Sequence, residues 1–403
     1  MNLLMVSPHL PNPSWGAGTR SYYLLKALAD NYSVSLLSLT GEQTSDSLAQ
    51  AINLKHIYQI PLHISLQQKR AQQLTSIIRN RSYLADTYYH KEIQQAINDI
   101  LAQDVYDTVI FESVFMAGYR VPEEVTVIID QHNIEHELLH RTYEQEQAWT
   151  RKWFNWWEAR KLKPIELARC RNAQGVLVTS EREYLLLKKL VPQCRAAIVP
   201  NGVDTNIFNK MDGQPEIANQ IIFTGTMNYY PNIQAVLFFA RECWPRIQAQ
   251  IPEATWQIVG KSPPPEVVQL AELPGVTVTG AVEDVKPYLA AASVAIAPLL
   301  IGSGTRLKIL EALAMHKAVV STSVGCEGLA VETGKHLSVA DQPELFAQEV
   351  IDLLHHPAKR VALGNAGRAL VEAEYSWEQC GNSFIHALEN YCRGQIYRAH
   401  RTG

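Results

Sequence analysis

A chain of 403 residues is too long for one ordinary hydrophobic core and implies two or three domains, two being the working expectation. Its 19% charged and 47% hydrophobic content belongs to a globular protein, which excludes a disordered or fibrous chain. A net charge of -4 supplies no overall basic field, so nucleic-acid binding is not expected, and the 6 cysteines form no C-x-x-C pair that would indicate a zinc site or disulfide framework.

Along the chain, short apolar runs alternate with stretches of helical period, the pattern of βαβ units and a parallel sheet, and it occurs twice. In the first half NLLMVS, SVSLLSL, DTVIFES, VTVIID, GVLVTS and AAIVPN read as strands, with TRSYYLLKALAD and EREYLLLKKL among the helices between them. In the second half QIIFTGT, ATWQIVG, GVTVTG, SVAIAPL and KAVVSTS repeat the rhythm. The polar stretch NGVDTNIFNKMDGQPEIANQ separates the halves. An α/β fold follows, with domains expected over 1–205 and 206–376 and a terminal helix over about 377–403. The opening MNLLMVSPHLPNPSWG lacks a basic leader and reads as a strand rather than a signal peptide. No run approaches the roughly 18 apolar residues of a membrane span, so the cytoplasm is the expected compartment.

An open parallel sheet binds ligands where strands end and loops enter helices, which confines the search for function. After the first strand, SPHLPNPSWGAGTRSYYLLKALA carries Gly16 and Gly18, but Ser21 stands where a dinucleotide fingerprint needs its third glycine, which disfavours a nicotinamide enzyme. Such a loop suits amides approaching a phosphate, and equally a plain Pro- and Gly-rich connection. VTVIIDQHNIEHELLHR sets Asp130, His132, Asn133, Glu135 and His136 at a strand end, where polar groups suit substrate hydroxyls. His132 there is a hydrogen-bond donor, a general base or a purely structural residue. His132 and His136 have the spacing of a zinc helix without its H-E-x-x-H order, so zinc ranks below sugar or phosphate contact. RKWFNWWEARKLK, 151–163, places Trp153, Trp156 and Trp157 at helical spacing among cations, as either a core stripe or a helix lying on anionic lipid.

The densest motif is IGSGTRLKILEALA, 301–314, between an apolar strand and a helix. Gly302 and Gly304 let the backbone approach a ligand, and the outward amides of the helix start favour an anion. Arg306 can grip phosphate oxygens with two parallel hydrogen bonds, and Lys308 adds a mobile point charge. Glu311 shares a helix face with Lys308 and can accept hydrogen bonds from ribose hydroxyls, while Leu307, Leu310 and Ala314 can face a core. The competing reading is a glycine-containing loop with a surface Lys-Glu pair.

GSGTRLKILEALAMHKAVVSTSVGCEGL, with IVPNGVDTNIF near the boundary and SPHLPNPSWGAGTR at the start, resembles the retaining GT-B glycosyltransferases of the glycogen-synthase-like family 4. The resemblance spans nearly the whole chain. It implies two Rossmann-like domains with parallel sheets facing a central cleft, and a C-terminal helix crossing back to the first domain. It also implies a nucleotide-sugar donor, a UDP-sugar first among candidates, held mainly by the second domain. A glycan, lipid-linked or other hydroxyl acceptor is held mainly by the first, and no metal or further cofactor is required. Glu311 matches the ribose-binding glutamate, Gly16 and Gly18 the loop approaching the donor phosphate, and His132 the histidine contacting the transferred sugar. Gly225 and Thr226 align after the first strand of the second domain, and Ser303, Gly304 and Thr305 complete the donor loop. Two departures stand out. Ser303 replaces a glutamate eight positions before Glu311, and FTGTMNYYPN lacks the arginine and lysine often found there, which leaves Arg306 and Lys308 as the cations for the leaving diphosphate. The expected activity is sugar transfer in cell-surface polysaccharide or glycoconjugate synthesis, with peripheral contact at the inner face of the membrane as a candidate. A sugar-nucleotide epimerase or hydrolase on the same scaffold, or a silent nucleotide-sugar binder, are the alternatives.

Overall fold

Runs such as Thr108–Glu112, Gln220–Thr224 and Val294–Ala297 are buried at every position, because a parallel strand covered by helices on both faces has no solvent side. The computed structural model describes residues 1–13, 16–40, 46–61, 76, 81–146, 148–211, 213–301 and 307–399. Within it the chain divides into two units, Met1–Pro200 together with Cys380–Gly403, and Asn201–Gln379.

The first unit holds strands β1 (Asn2–Ser7), β2 (Ser33–Thr40), β3 (His56–Pro61), β4 (Thr108–Glu112), β5 (Thr126–Asp130), β6 (Gly175–Val178) and β7 (Ala196–Ile198). They pair in parallel in the order β3-β2-β1-β4-β5-β6-β7. The order reverses between β1 and β4, the switch point where a doubly wound sheet opens a crevice at its carboxyl rim. Glu112 and Asp130 are opposite each other in the β4–β5 register, so both carboxylates end at that rim.

Strand β3 is absent from the sequence-based expectation for a physical reason. It is an edge strand of half-exposed residues that ends in Pro61, so KHIYQIP lacks the continuous apolar run of its neighbours. The helix Glu181–Leu190 has the bounds the sequence predicts. Ser180 Oγ accepts the Glu183 amide at 3.3 Å, with Glu181 and Glu183 in the first turn and Lys188 and Lys189 in the last.

The terminal helix Trp377–Ala399 returns to the first unit over most of its length. Tyr32 donates to Glu389 Oε1 at 3.1 Å, and the Arg195 guanidinium donates to the Asn390 carbonyl at 2.8 Å while lying over the Tyr391 ring. The Tyr391 ring packs so closely on β6 that a Cβ on Gly175 would come within 2.2 Å of it.

The second unit holds β8 (Gln220–Thr224), β9 (Thr255–Val259), β10 (Val276–Gly280), β11 (Val294–Ala297), β12 (Ala318–Ser321) and β13 (Ser338–Val339). The order is β10-β9-β8-β11-β12-β13, with the same reversal between β8 and β11. The two-residue β13 is too short to register in the sequence. On one face of the sheet Trp256 of β9 clusters with Phe239, Trp244 and Phe346, with the Phe239 and Trp256 rings edge to face at 4.7 Å. The polar stretch after Asn201 is tied down by buried Arg368, which donates to the carbonyls of Thr205, Phe208 and Ala314.

Candidate functional site

Each unit carries a polar constellation at the carboxyl rim of its sheet. In the first, the helix Gly16–Ala29 follows β1, and the loop before it folds back, with the Asn12 amide bonding the Gly18 carbonyl at 3.2 Å and Thr19 Oγ the Pro13 carbonyl at 3.1 Å. This places Arg20 and Ser21 beneath the rim. Buried Arg20 grips Asp130 with two hydrogen bonds, Nε to Oδ2 at 3.0 Å and Nη2 to Oδ1 at 2.6 Å. Its Nη1 donates to the carbonyls of Val199 at 2.9 Å and Pro200 at 3.1 Å, so one side chain ties helix, strand end and the exit from β7 together.

Glu112, fully buried at the end of β4, collects the remaining groups. Ser21 donates to its Oε1, and the His9 and His132 rings bring Nε2 atoms to 3.3 and 3.9 Å from that same oxygen. Glu112 Oε2 is buried with no hydrogen-bond partner among the described residues. The next residue, Ser113, has a positive φ of 75°, a strained conformation held by its amide bond to the Asp130 carbonyl.

Burial opposes charge on Asp130 and on Glu112, but Arg20 for the former and His9 and His132 for the latter outweigh it and hold both carboxyls below their ordinary values. Glu112 and Asp130 carry two negative charges against the single positive charge of Arg20, which favours a proton on a histidine of the cluster. Burial also opposes charge on His132, yet its contacts with Asp130, at 3.6 Å, and with Glu112 prevail and raise its pKa. His132 is therefore biased toward the protonated, hydrogen-donating form rather than toward a general base.

The polar group read after β5 divides in two. Asp130 and His132 join this rim, whereas His136 Nδ1 pairs with Glu166 Oε2 at 2.6 Å on the neighbouring helix Trp149–Asn172. Glu166 also accepts the amides of Glu135 at 2.8 Å and His136 at 2.9 Å, and so caps the helix Glu135–Gln145. His136 is thus a structural residue, and the two histidines do not converge on one point. Burial, with the nearby Glu166 charge, pushes the Glu135 carboxyl up to about 7.

In the second unit, β8 leads into Gly225, whose φ of 154° strains any other residue. A Cβ there would meet Asn232 Nδ2 at 2.8 Å and Lys308 Nζ at 2.9 Å. The absent side chain lets Lys308, on the helix Leu307–Ala314, come down onto the loop. Its Nζ donates to Asn232 Oδ1 at 2.7 Å and lies 3.8 Å over the Phe223 ring, while Asn232 Nδ2 donates to the Thr226 carbonyl at 2.9 Å. Lys308 is therefore a held cation, where the sequence suggested a mobile one. Leu310 and Ala314 are buried in the core and Leu307 is half-buried. Glu311 is half-buried one turn on from Lys308, and burial pushes its carboxyl up to about 7 against the pull of Lys308. Ser303, Gly304, Thr305 and Arg306, with Gly302, lie outside the described residues.

Sequence reasoning did not single out His9, Arg20, Glu112, Phe223 or Asn232. The usable signal was that Glu112 and Asp130 each close an apolar strand, which in a parallel sheet puts them at the ligand-binding rim.

Residues 218–356 match the family model described as Glycosyl transferases group 1. Among curated proteins, the chain is 38% identical over 89 residues to a GDP-mannose-dependent monoacylated alpha-(1-6)-phosphatidylinositol monomannoside mannosyltransferase of Corynebacterium glutamicum, covering 22% of this chain and 23% of that protein. It is 25% identical over 140 residues to an uncharacterized 44.6 kDa protein in the cps region of Klebsiella pneumoniae, covering 33% of this chain and 36% of that one. The match therefore spans well under half of either relative. Among solved structures, sucrose-phosphate synthase from Thermosynechococcus elongatus superposes with a TM-score of 0.69 at 19% identity over 100% of this chain and 99% of that one. HepE of Anabaena, in complex with UDP-glucose, superposes with a TM-score of 0.66 at 13% identity over 96% and 99%. The chain thus has the α/β fold of two Rossmann-like, parallel-sheet domains found in GT-B glycosyltransferases, and within it residues 218–356 are similar to the Glycosyl transferases group 1 model.

Proposed function

We propose that the chain is a retaining, metal-independent glycosyltransferase that moves a sugar from a nucleotide-sugar donor to a hydroxyl of a glycan or lipid-linked acceptor. The observation that carries this reading is the pinning of Lys308 at Gly225, with Glu311 one turn away, inside the stretch similar to the group 1 model. Glu311 takes the donor ribose, Lys308 and Arg306 take the diphosphate, and Ser303, Gly304, Thr305, Gly225 and Thr226 bring backbone close to it. His132 donates to a sugar hydroxyl, and the first unit receives the acceptor.

In the transfer the bond from the anomeric carbon to the phosphate oxygen breaks while the acceptor oxygen bonds to that carbon on the same face. The acceptor's proton passes to the departing phosphate. Charge develops on the diphosphate, so a cation fixed in advance lowers the barrier more than one that must be ordered during reaction. The held geometry of Lys308 suits that role.

The donor base is the open specificity. The mannosyltransferase relative is named for GDP-mannose, and the solved neighbour HepE holds UDP-glucose. A bound donor raises the melting temperature in proportion to its affinity, so a thermal-shift screen of UDP-, GDP- and ADP-sugars identifies it, with a UDP-sugar expected. Transfer to an acceptor should then persist in EDTA and give a product of the donor's anomeric configuration by NMR. Rapid donor turnover without any acceptor, or stabilisation by none of the three donor classes, would overturn the reading.

A further inference from the structure

The helix Trp149–Asn172 has two sides of opposite character. Its buried side, with Glu158, Ala159, Leu162, Glu166 and Cys170, turns into the first unit, and both of the helix's carboxylates are used there. Glu158 accepts from Ser82 Oγ at 2.5 Å and the Leu84 amide at 3.0 Å, and pairs with Lys161 at 3.0 Å. Glu166 caps the neighbouring helix. The other side carries indoles and cations with no acid from this helix among them. Trp149, Trp153, Arg160, Lys163 and Arg171 are exposed, and their spacings of three, four, seven and eight residues keep them on one face.

Trp149 is 79% exposed and Trp153 48%. Trp153 stacks nearly parallel on Trp157 at 5.9 Å, and Arg160 lies 4.9 Å over the Trp156 ring. Stacking holds these large apolar rings in a fixed row, already beside guanidinium and ammonium groups. A row of indoles flanked by cations is the side-chain set of a helix lying in the headgroup layer: indoles favour the boundary between water and acyl chains, and Lys and Arg are drawn to lipid phosphates.

We propose that this stripe docks the protein on the surface of an anionic lipid bilayer, with Trp149 and Trp153 entering the headgroup layer and Arg160, Lys163 and Arg171 meeting lipid phosphates. Charge complementarity selects this occupant, since a helix face that presents cations and none of the helix's own acids fits a polyanionic plane. The helix lies on the membrane rather than across it, and among the described residues no helix is long and apolar enough to span one. The inference does not depend on the transfer activity.

Co-sedimentation of the full chain with phosphatidylcholine vesicles, and with vesicles in which about a third of the lipid is phosphatidylglycerol, tests it. Binding is expected only to the anionic vesicles and should weaken as salt is raised. The double variants Trp149→Ala/Trp153→Ala and Arg160→Glu/Lys163→Glu should each cut the bound fraction at least about fivefold with the melting temperature unchanged. Should the tryptophan pair fail to fold, the charge-reversed pair still reads the same stripe. Equal binding to both vesicle types, no binding, or variants that bind like the parent would overturn the proposal. So would a dimer that the tryptophan variant converts to monomer without any vesicle binding by the parent, which would assign the stripe to a second copy of the chain.

Discussion

At the rim of the first sheet, His9, Arg20, Ser21, Glu112, Asp130 and His132 come from four separate stretches and close on one another. At the rim of the second, Lys308 and Glu311 come from one helix turn, and among the described residues Lys308 is pinned by Asn232 and Phe223. The first rim satisfies most of its own charge, with carboxyls held below their ordinary values. The second leaves a half-buried carboxyl pushed up to about 7, beside a cation that a glycine admits. A rim that neutralises itself fixes backbone and ring positions. A rim with a carboxyl at the edge of ionisation is set to respond to a ligand. The contrast predicts that substitutions in the first rim register mainly as lost stability and those in the second mainly as lost turnover.

The largest effect is expected from Arg20→Ala. It deletes both hydrogen bonds to Asp130 and both to the carbonyls of Val199 and Pro200, leaving a buried carboxylate without its cation. Breaking a buried pair from one side costs about 3–5 kcal/mol, read by urea denaturation of the purified variant. Asp130→Asn should cost less, because a neutral amide can still accept from the guanidinium. A loss for Arg20→Ala below about 1 kcal/mol, the range of an exposed pair, would show that the first rim does not neutralise itself.

Lys308→Met keeps much of the stem that lies over Phe223 and removes the charge. Turnover should fall about 10²- to 10³-fold, the scale for loss of one preorganised group facing developing negative charge, with little change in melting temperature. Gly225→Ala should act in the same direction, because its Cβ would arrive 2.9 Å from Lys308 Nζ and displace it. Steady-state kinetics with the stabilising donor separates the outcomes. If both variants melt early and turn over normally once folded, Lys308 belongs with the first rim as a structural group.

The sequence exposed the second rim more readily than the first because the second is nearly local. Lys308 and Glu311 are three apart on one helix, and Gly225 follows directly on an apolar strand. The first rim exists because β1, β4 and β5 are neighbours in the sheet, an adjacency no single stretch encodes. Arg20 reads locally as an ordinary helix cation, and His9 as part of a Pro-rich connection. The tryptophan helix inverts the usual pattern, with Glu158 and Glu166 inside and Trp149 and Trp153 outside. Its period was readable, but which face was buried depended on Ser82, Gln131 and His136 arriving from elsewhere to satisfy the inner carboxylates.

The smallest effect, and the one that most sharpens the contrast, is a pH dependence of donor binding. With its carboxyl at about 7 before ligand arrives, Glu311 is largely protonated below that pH and largely ionised above it. Ribose hydroxyls donate to the ionised form more strongly, so binding lowers its pKa and affinity rises with pH. Between about pH 6 and about pH 8 the ionised fraction changes about tenfold, which bounds the gain in donor affinity at about tenfold. Titration calorimetry with an intact nucleotide sugar avoids interference from the terminal phosphate of a free nucleotide. Glu311→Gln should remove the slope and leave a weak, pH-independent affinity, because its amide cannot ionise. A rising slope that survives in that variant would move the titrating group to another carboxyl, Glu135 first because burial pushes it too up to about 7, whereas an affinity that falls as pH rises would point to His132, whose raised pKa makes it lose a donated proton. Glu311 and His132 therefore predict pH slopes of opposite sign, and the direction of a single titration tells which of the two ionisations governs donor affinity.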